Sequence, residues 1–245
     1  MALPPLYVIA PPATPAPHGL YDAASVTQDT ADRHLGGVLL DTPNGGPAGT
    51  WPTDCPTPDD TPDKGGARPA AVQHDSTVVW AADECKTVGV DDAAAQARAE
   101  QALRLAEPVQ VEQHTAPRLL DAADTPTSVT DWEAAVAAIE DALAAGGYTG
   151  VVHARRGVLP YVTRWVVRQG GVLLTPGGHR WAFGAGYGAL GDTLVGTGPV
   201  HVRQGPVTHR TALDHATNTR LAVAERVVNV AWEPPTVAVT MTAAP

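Results

Sequence analysis

The chain has 245 residues, 44% of them hydrophobic and 17% charged, and a formal net charge of −10. That length allows one large domain or two small ones around a real core, and no apolar run approaches the roughly 20 residues a membrane-spanning helix needs. The acidic balance argues against a dedicated nucleic-acid binder.

Residues 1–34 hold proline at positions 4, 5, 11, 12, 15 and 17. Proline at this density removes the donors that helices and ladders need, so the segment is expected to be an extended arm, disordered unless something binds it. Tyr7, Ile9, Leu20 and Tyr21 give it apolar anchors for docking on a neighbour. The opening MALPPLYVIAPP has no basic flank, and prolines interrupt its apolar stretch, so a signal peptide is not expected. Residues 35–85 start as a strand, LGGVLLD, run through DTPNGGPAGTWPTDCPTPDDTPDKGGARP as a long loop or open hairpin, and return as the strand HDSTVVWAADEC.

The alanine-rich run from Asp91 to Glu107 predicts a first helix, capped by Asp91 or Asp92 and ended or kinked by Pro108. Its apolar face is narrow (Ala95, Ala99, Ala102, Leu103, Ala106), as in a helix that lies across a surface. Thr130 and Glu133 form a capping box for a second helix, with Trp132, Val136, Ile139 and Leu143 on one face and Gly146–Gly147 as its stop. A strand, TGVVHA, follows, then a shorter helix over RGVLPYVTRWVVRQ that ends at Gly170–Gly171. Strands and glycine turns alternate from there to the C-terminus. In LAVAERVVNVAW the alternation puts Val228, Val230 and Trp232 on one face.

Signs of chemistry are few. The glycines of Gly186-Tyr187-Gly188-Ala189-Leu190-Gly191 match a dinucleotide-binding string, but the strand DTLVGTG follows where a phosphate site needs a helix N-terminus. The glycines read instead as a flexible loop or tight turns. Nine histidines are scattered with no metal-ligand spacing. His201 and His209 could face each other across a hairpin turning at Gln204-Gly205, an arrangement more often structural than metal-binding. Asp214-His215 has no serine elbow beside it. Cys55 and Cys85 match no zinc or redox motif; a bracing disulfide is geometrically possible, and reduced thiols are expected in a cytosolic product. No catalytic, cofactor-binding or metal-binding residue is assigned, and no enzyme activity is expected.

Charge is unevenly spread. Residues 1–64 carry eight acidic and two basic side chains, residues 65–150 fourteen and five, and residues 151–245 four and nine. Two unlike faces of a monomer would give this partition; so would an acidic arm that docks on a basic region of the next copy. Lysine occurs only at 64 and 86 and isoleucine only at 9 and 139. That usage fits a GC-rich coding sequence from an actinobacterial host or one of its phages.

The order of arm, long excursion, shallow polar helix and mixed helix–strand region resembles the major capsid proteins of tailed phages, a fold shared with encapsulins. The segments DHATNTRLAVAERVVNVAWEPPTVAVTM and GGVLLTPGGHRWAFGAGY carry the local likeness, the latter to actinophage head proteins. The resemblance implies an α+β capsid fold with residues 1–34 as arm, 35–85 as extended loop, and 86–126 as spine helix and peripheral domain. It further implies an axial domain over 127–192, with GGHRWAFGAGYGALGD as axial loop, and peripheral return strands over 193–245. It implies a structural subunit that assembles with itself, as hexamers and pentamers, into an icosahedral shell around a DNA genome. A separate scaffolding or decoration protein is a further partner, packaged DNA is touched only non-specifically, and no membrane is involved. The location implied is the virion, after assembly in the host cytoplasm. Tyr7, Tyr21, Trp51, Trp80, Arg155 and Arg156 are the expected subunit contacts. Deleting residues 2–30 is expected to leave a folded subunit that fails to assemble. A tail-tube, connector or decoration protein would also be rich in strands and glycine, but would not need the two helices after residue 90. A small enzyme would need a cluster of polar residues that the histidine scatter does not supply.

Overall fold

The computed structural model describes residues 5–6, 8–51, 53, 64–86 and 92–242. In chain order the elements are α1 (Leu20–Ala23), β1 (Ser25–Gln28), β2 (Val38–Leu40), β3 (Val72–His74), β4 (Ser76–Lys86), α2 (Asp92–Ala122), β5 (Thr127–Val129), α3 (Trp132–Ala144), β6 (Val151–Arg155), α4 (Leu159–Val162), β7 (Val167–Gln169), β8 (Val172–Leu174), β9 (Arg180–Gly184), β10 (Thr193–Thr197), β11 (Val200–Gln204), β12 (Thr208–Asp214), β13 (Thr219–Trp232) and β14 (Thr236–Met241). The architecture is α+β.

The long strand β13 organises the first half of the molecule. One of its edges pairs antiparallel with β4 from Asn229↔Ser76 to Thr219↔Lys86. Its other edge pairs first with β11 and then with β12, both antiparallel. β11 and β12 therefore run end to end, broken at 205–207, and β1 adds in parallel outside β11. His201 sits opposite Ala231 and His209 opposite Ala224, so the two histidines do not face each other. The expected hairpin turn at Gln204-Gly205 is a break in one edge. The real turn lies at 215–218, where Asn218 takes φ 54° and Asp214 accepts from the Ala216 amide and the Thr217 hydroxyl.

Helix α2 lies across this sheet. Ala95, Ala99, Leu103, Val111, Ala116 and Leu119 form its buried stripe, against Val79, Ala81, Ala222, Ala224, Val228, Val230 and Trp232. The helix runs 31 residues, straight through the expected end at Pro108 and through Pro117. A proline inside a helix costs about 3 kcal/mol because it orphans the carbonyl four residues back. Here Pro117 is exposed and Pro108 half-buried, and buried residues on either side hold the helix to the sheet.

The other half is a seven-stranded sheet in the order β5-β14-β10-β6-β9-β8-β7. Helix α3 covers it with Ala135, Val136, Ile139 and Leu143, packed on Val152, Ala154, Trp181, Phe183, Leu194 and Val239. Its N-cap is Asp131, which accepts from the Ala134 amide at 2.7 Å, and not the expected Thr130. Trp132 is half-buried and stacks on Tyr161 with ring centroids 6.0 Å apart. The expected third helix is only the turn α4 with flanking 3-10 turns; VRQ is strand β7, and Gly170–Gly171, both at positive φ, turn it into β8. The segment expected as an axial loop is the buried strand β9 and a 3-10 turn, Tyr187–Leu190. Strands β10 and β14 belong to this sheet, so the expected boundary at residue 192 falls inside it.

The arm is only partly free. Leu20 is fully buried, and β1 is a strand of the first sheet, so the expected disorder does not extend past residue 19. The excursion begins and ends in the small ladder β2–β3. No helix among the described residues is long and apolar enough to cross a membrane.

Candidate assembly surfaces

Two carboxylates on α2 hold the arm. The Glu112 side chain is 2% exposed; it accepts from the Leu20 amide at 2.9 Å and from the Gly186 amide at 2.9 Å. Burial pushes its carboxyl above the usual range, against the pull of those amides and of Arg156. Gly186 is required by close approach, because a Cβ there would lie 2.2 Å from the Val109 carbonyl oxygen. Five residues before Glu112 on α2, Glu107 accepts from the Tyr21 hydroxyl at 2.8 Å, with Gln204 and Arg226 as its other partners. Burial, then the Glu107 charge, raises the Tyr21 hydroxyl well above its ordinary pKa. Gln101 donates to the Ala13 carbonyl at 2.7 Å and Arg156 to the Pro17 carbonyl at 2.9 Å. The arm is thus tied to its own subunit from Ala13 onward. Upstream, Leu6, Val8 and Ile9 are 87%, 71% and 79% exposed.

A third carboxylate sets the root of the excursion. Glu233, buried at the crossing from β13 to β14, takes hydrogen bonds from Thr42, from Asn44 at 2.7 Å and from His201 at 3.3 Å. Burial alone would raise its carboxyl; the three donors outweigh it and hold the pKa below the usual range. In the bend between β10 and β11, Gly198 passes so close that a Cβ would sit 2.7 Å from the carbonyl oxygens of Glu233 and Pro234. On the far side of the root Asn229 donates to the His74 carbonyl at 2.8 Å. The His74 ring meets the Trp232 edge at a centroid distance of 4.7 Å, under the Arg118 guanidinium. Burial, then Arg118, lowers His74 to about 4, so it is neutral at physiological pH.

The expected contact residues divide. Tyr7 lies outside the described residues, as does Cys55; Cys85 is half-buried. Tyr21 is used inside the subunit. Arg155 donates to the Gly191 carbonyl at 2.7 Å and pairs with Asp192, and Arg156 holds the arm. Trp51 and Trp80 are exposed, at 42% and 58%. Trp51 lies in the excursion with the Lys64 ammonium 4.4 Å above its ring; Trp80 stands beside Glu225 on the sheet. Glu107, Glu112 and Glu233 were not expected. The signal was present for one of them: Leu103, Glu107 and Val111 follow at steps of four along one helix face, and a carboxylate in such a stripe calls for a buried partner.

The fully buried His153 is bonded at both nitrogens, to the Tyr187 hydroxyl at 2.9 Å and the Thr197 hydroxyl at 3.1 Å. Burial lowers it to about 3, which makes it a satisfied core histidine. Among the described residues no three His, Cys, Asp or Glu side chains converge as metal ligands would.

No known sequence family and no curated protein matches the chain. Solved structures do. The asymmetric unit of the bacteriophage PhiM1 mature capsid matches with a TM-score of 0.55 at 12% identity, over 100% of this chain and 93% of that one. A structure from Mycobacterium phage Bobi matches with a TM-score of 0.59 at 14% identity, over 99% and 96%. The virus-like particle from Pyrococcus furiosus matches with a TM-score of 0.54 at 10% identity, over 90% and 91%. The PhiM1 overlap spans the whole chain, and the chain has the tailed-phage capsid fold.

Proposed function

We propose that this chain is the structural subunit of a capsid shell of the tailed-phage type, which assembles with itself into a closed icosahedral head around DNA. The observation that carries the reading is the overlap of 100% of this chain with the PhiM1 capsid subunit, arm and excursion included. In this reading the residues ahead of Ala13 are the free arm, 41–71 the extended loop, α2 the spine, the first sheet the peripheral domain and the seven-stranded sheet the axial domain. The likeness to a Mycobacterium phage structure supports an actinobacteriophage origin. The subunit's work is burial: exposed Leu6, Val8, Ile9, Trp51 and Trp80 supply apolar area that an isolated soluble protein has little reason to display. The role is structural, the location the virion, and assembly takes place in the host cytoplasm, with a scaffolding or decoration protein as a second partner. DNA is enclosed without specific contacts, in keeping with the acidic chain.

The test is size. The chain expressed alone is passed through size exclusion with light scattering, and the largest fraction is imaged by negative stain. Closed shells or capsomer rings are expected. Tubes would point to another virion component, and a monomer at every concentration would overturn the reading.

A further inference from the structure

Strand β12 is an edge that this subunit does not protect. All seven of its residues are exposed. One side pairs with β13, and β12 stands at the end of the strand order, with no strand on its other side among the described residues. Soluble proteins blunt such edges with lysine, proline, a bulge or a covering element, because unpaired amides and carbonyls recruit another strand. Thr208-His209-Arg210-Thr211-Ala212-Leu213-Asp214 contains no lysine or proline and is paired in unbroken register with β13.

We propose that β12 is a pairing surface for β12 of a second copy, antiparallel about a two-fold axis at Thr211. The inference deepens the shell reading and rests on it for the partner being another copy. Two features favour this occupant. The first is the length of the free edge. β1 fills the neighbouring edge only as far as Gln28, opposite Gln204, and the turn at 215–218 closes the other end. A seven-residue strand fits between them.

The second is charge. The strand carries one arginine and one aspartate, so identical strands meet without net repulsion. In the antiparallel register Thr208 stands opposite Asp214, His209 opposite Leu213 and Arg210 opposite Ala212. Arg210 then stands diagonal to the second copy's Asp214 on one side and to that copy's Arg210 on the other, and each guanidinium is already paired with Glu225 of its own subunit at 2.5 Å, so the two arginines meet neutralised. Such an interface is isologous and closes on itself, so it links two subunits without running on into a fibre.

The register makes a sharp test. Residues on the two-fold face their own copies at a Cα separation of about 4.5–5.5 Å, within the roughly 4.4–6.8 Å that a disulfide spans. Thr211→Cys, oxidised in concentrated full-length protein, is expected to give a covalent dimer on a non-reducing gel. Thr208→Cys, about six residues from its own copy, and the unaltered chain are expected to give none. As a second variant, Thr211→Lys is expected to weaken association while the melting temperature of the monomer stays unchanged. A Thr211→Cys dimer without shells would uphold the pairing and sink the capsid reading. Shells without that dimer would overturn the pairing and leave the capsid reading standing. Neither dimer nor shells would overturn both.

Discussion

The Leu20 amide donates to the Glu112 carboxylate at 2.9 Å across 92 residues of sequence, and both residues are buried. Together with the Gly186 amide on the other carboxylate oxygen, this bond makes one side chain the junction of arm, long helix and seven-stranded sheet. Glu112→Ala would leave two buried amides without acceptors, at a cost of roughly 2–5 kcal/mol. Thermal unfolding should register that loss, and hydrogen exchange should show faster opening at 18–24. Because burial raises the folded-state pKa of Glu112, the folded chain binds more protons than the unfolded one above the ordinary carboxylate range. Its contribution to stability is therefore full at low pH and is lost as pH rises through the folded value. Glu112→Gln should flatten that part of the stability profile; an unchanged slope would mean that the carboxyl is not held as described.

Gly186 should tolerate nothing larger. Gly186→Ala would drive a methyl into the Val109 carbonyl and the Glu112 side chain, so we expect a loss comparable to Glu112→Ala, measured by denaturant titration. Gly188, around which nothing lies within 4 Å, is the control and should accept alanine with little change.

Local chemistry carried far in this sequence, and its failures are specific. A short apolar run marked β6, period-two alternation marked β13, and the face of α3 was readable from Val136, Ile139 and Leu143, because short-range hydrophobic pattern reports burial directly. Pro108 misled because a helix boundary inferred from one residue ignores the sheet beneath: packing of Leu103, Val111 and Leu119 outweighs one lost hydrogen bond. His201 and His209 misled because Gln204-Gly205 looks like a turn, whereas Gly205 still donates to the Val227 carbonyl at 2.8 Å and keeps the edge in line. The glycines at 184–191 read as loop material, yet Gly184 and Gly186 are there to admit Glu112. Contacts between residues 20 and 112, or 42 and 233, leave no pattern in the chain, since each joins segments that only the tertiary fold brings together.

The arm should be divisible just ahead of Ala13. Deleting residues 2–12 removes only the segment ahead of the Ala13 anchor, and should leave the melting temperature of the subunit unchanged while particle yield falls. The larger deletion of residues 2–30 also removes Leu20, Tyr21 and β1, so the expectation that it leaves a folded subunit does not survive the structure. Losing the buried Leu20 side chain alone costs about 2–5 kcal/mol. Circular dichroism of the two truncations should separate them.

Trp80→Ala and Trp51→Ala should act on particles more than on monomers. Both rings are exposed in the single subunit, where removing them forfeits little. If they are buried between copies, each supplies the kind of anchor whose loss typically costs about 2 kcal/mol or more of association. Light scattering across a dilution series, set beside the monomer melting temperature, distinguishes the two effects. Equal losses in both would assign the tryptophans to the fold.

Glu233 ties the root of the excursion to the crossing between the sheets, so its removal should loosen the loop before it unfolds the protein. In Glu233→Gln one acceptor becomes a donor facing Thr42, Asn44 or His201, and limited proteolysis should cut faster within 38–51. The pH dependence has the opposite sign to that of Glu112. The folded-state pKa of Glu233 lies below its ordinary value, so its contribution is present above the unfolded value and is lost as pH falls through the folded one. Protection of the loop root should therefore decline on acidification in the natural chain and be nearly flat with pH in Glu233→Gln. Parallel curves for the two would place the loop's anchorage elsewhere, with the Asn229–His74 bond on the far side of the root as the next candidate.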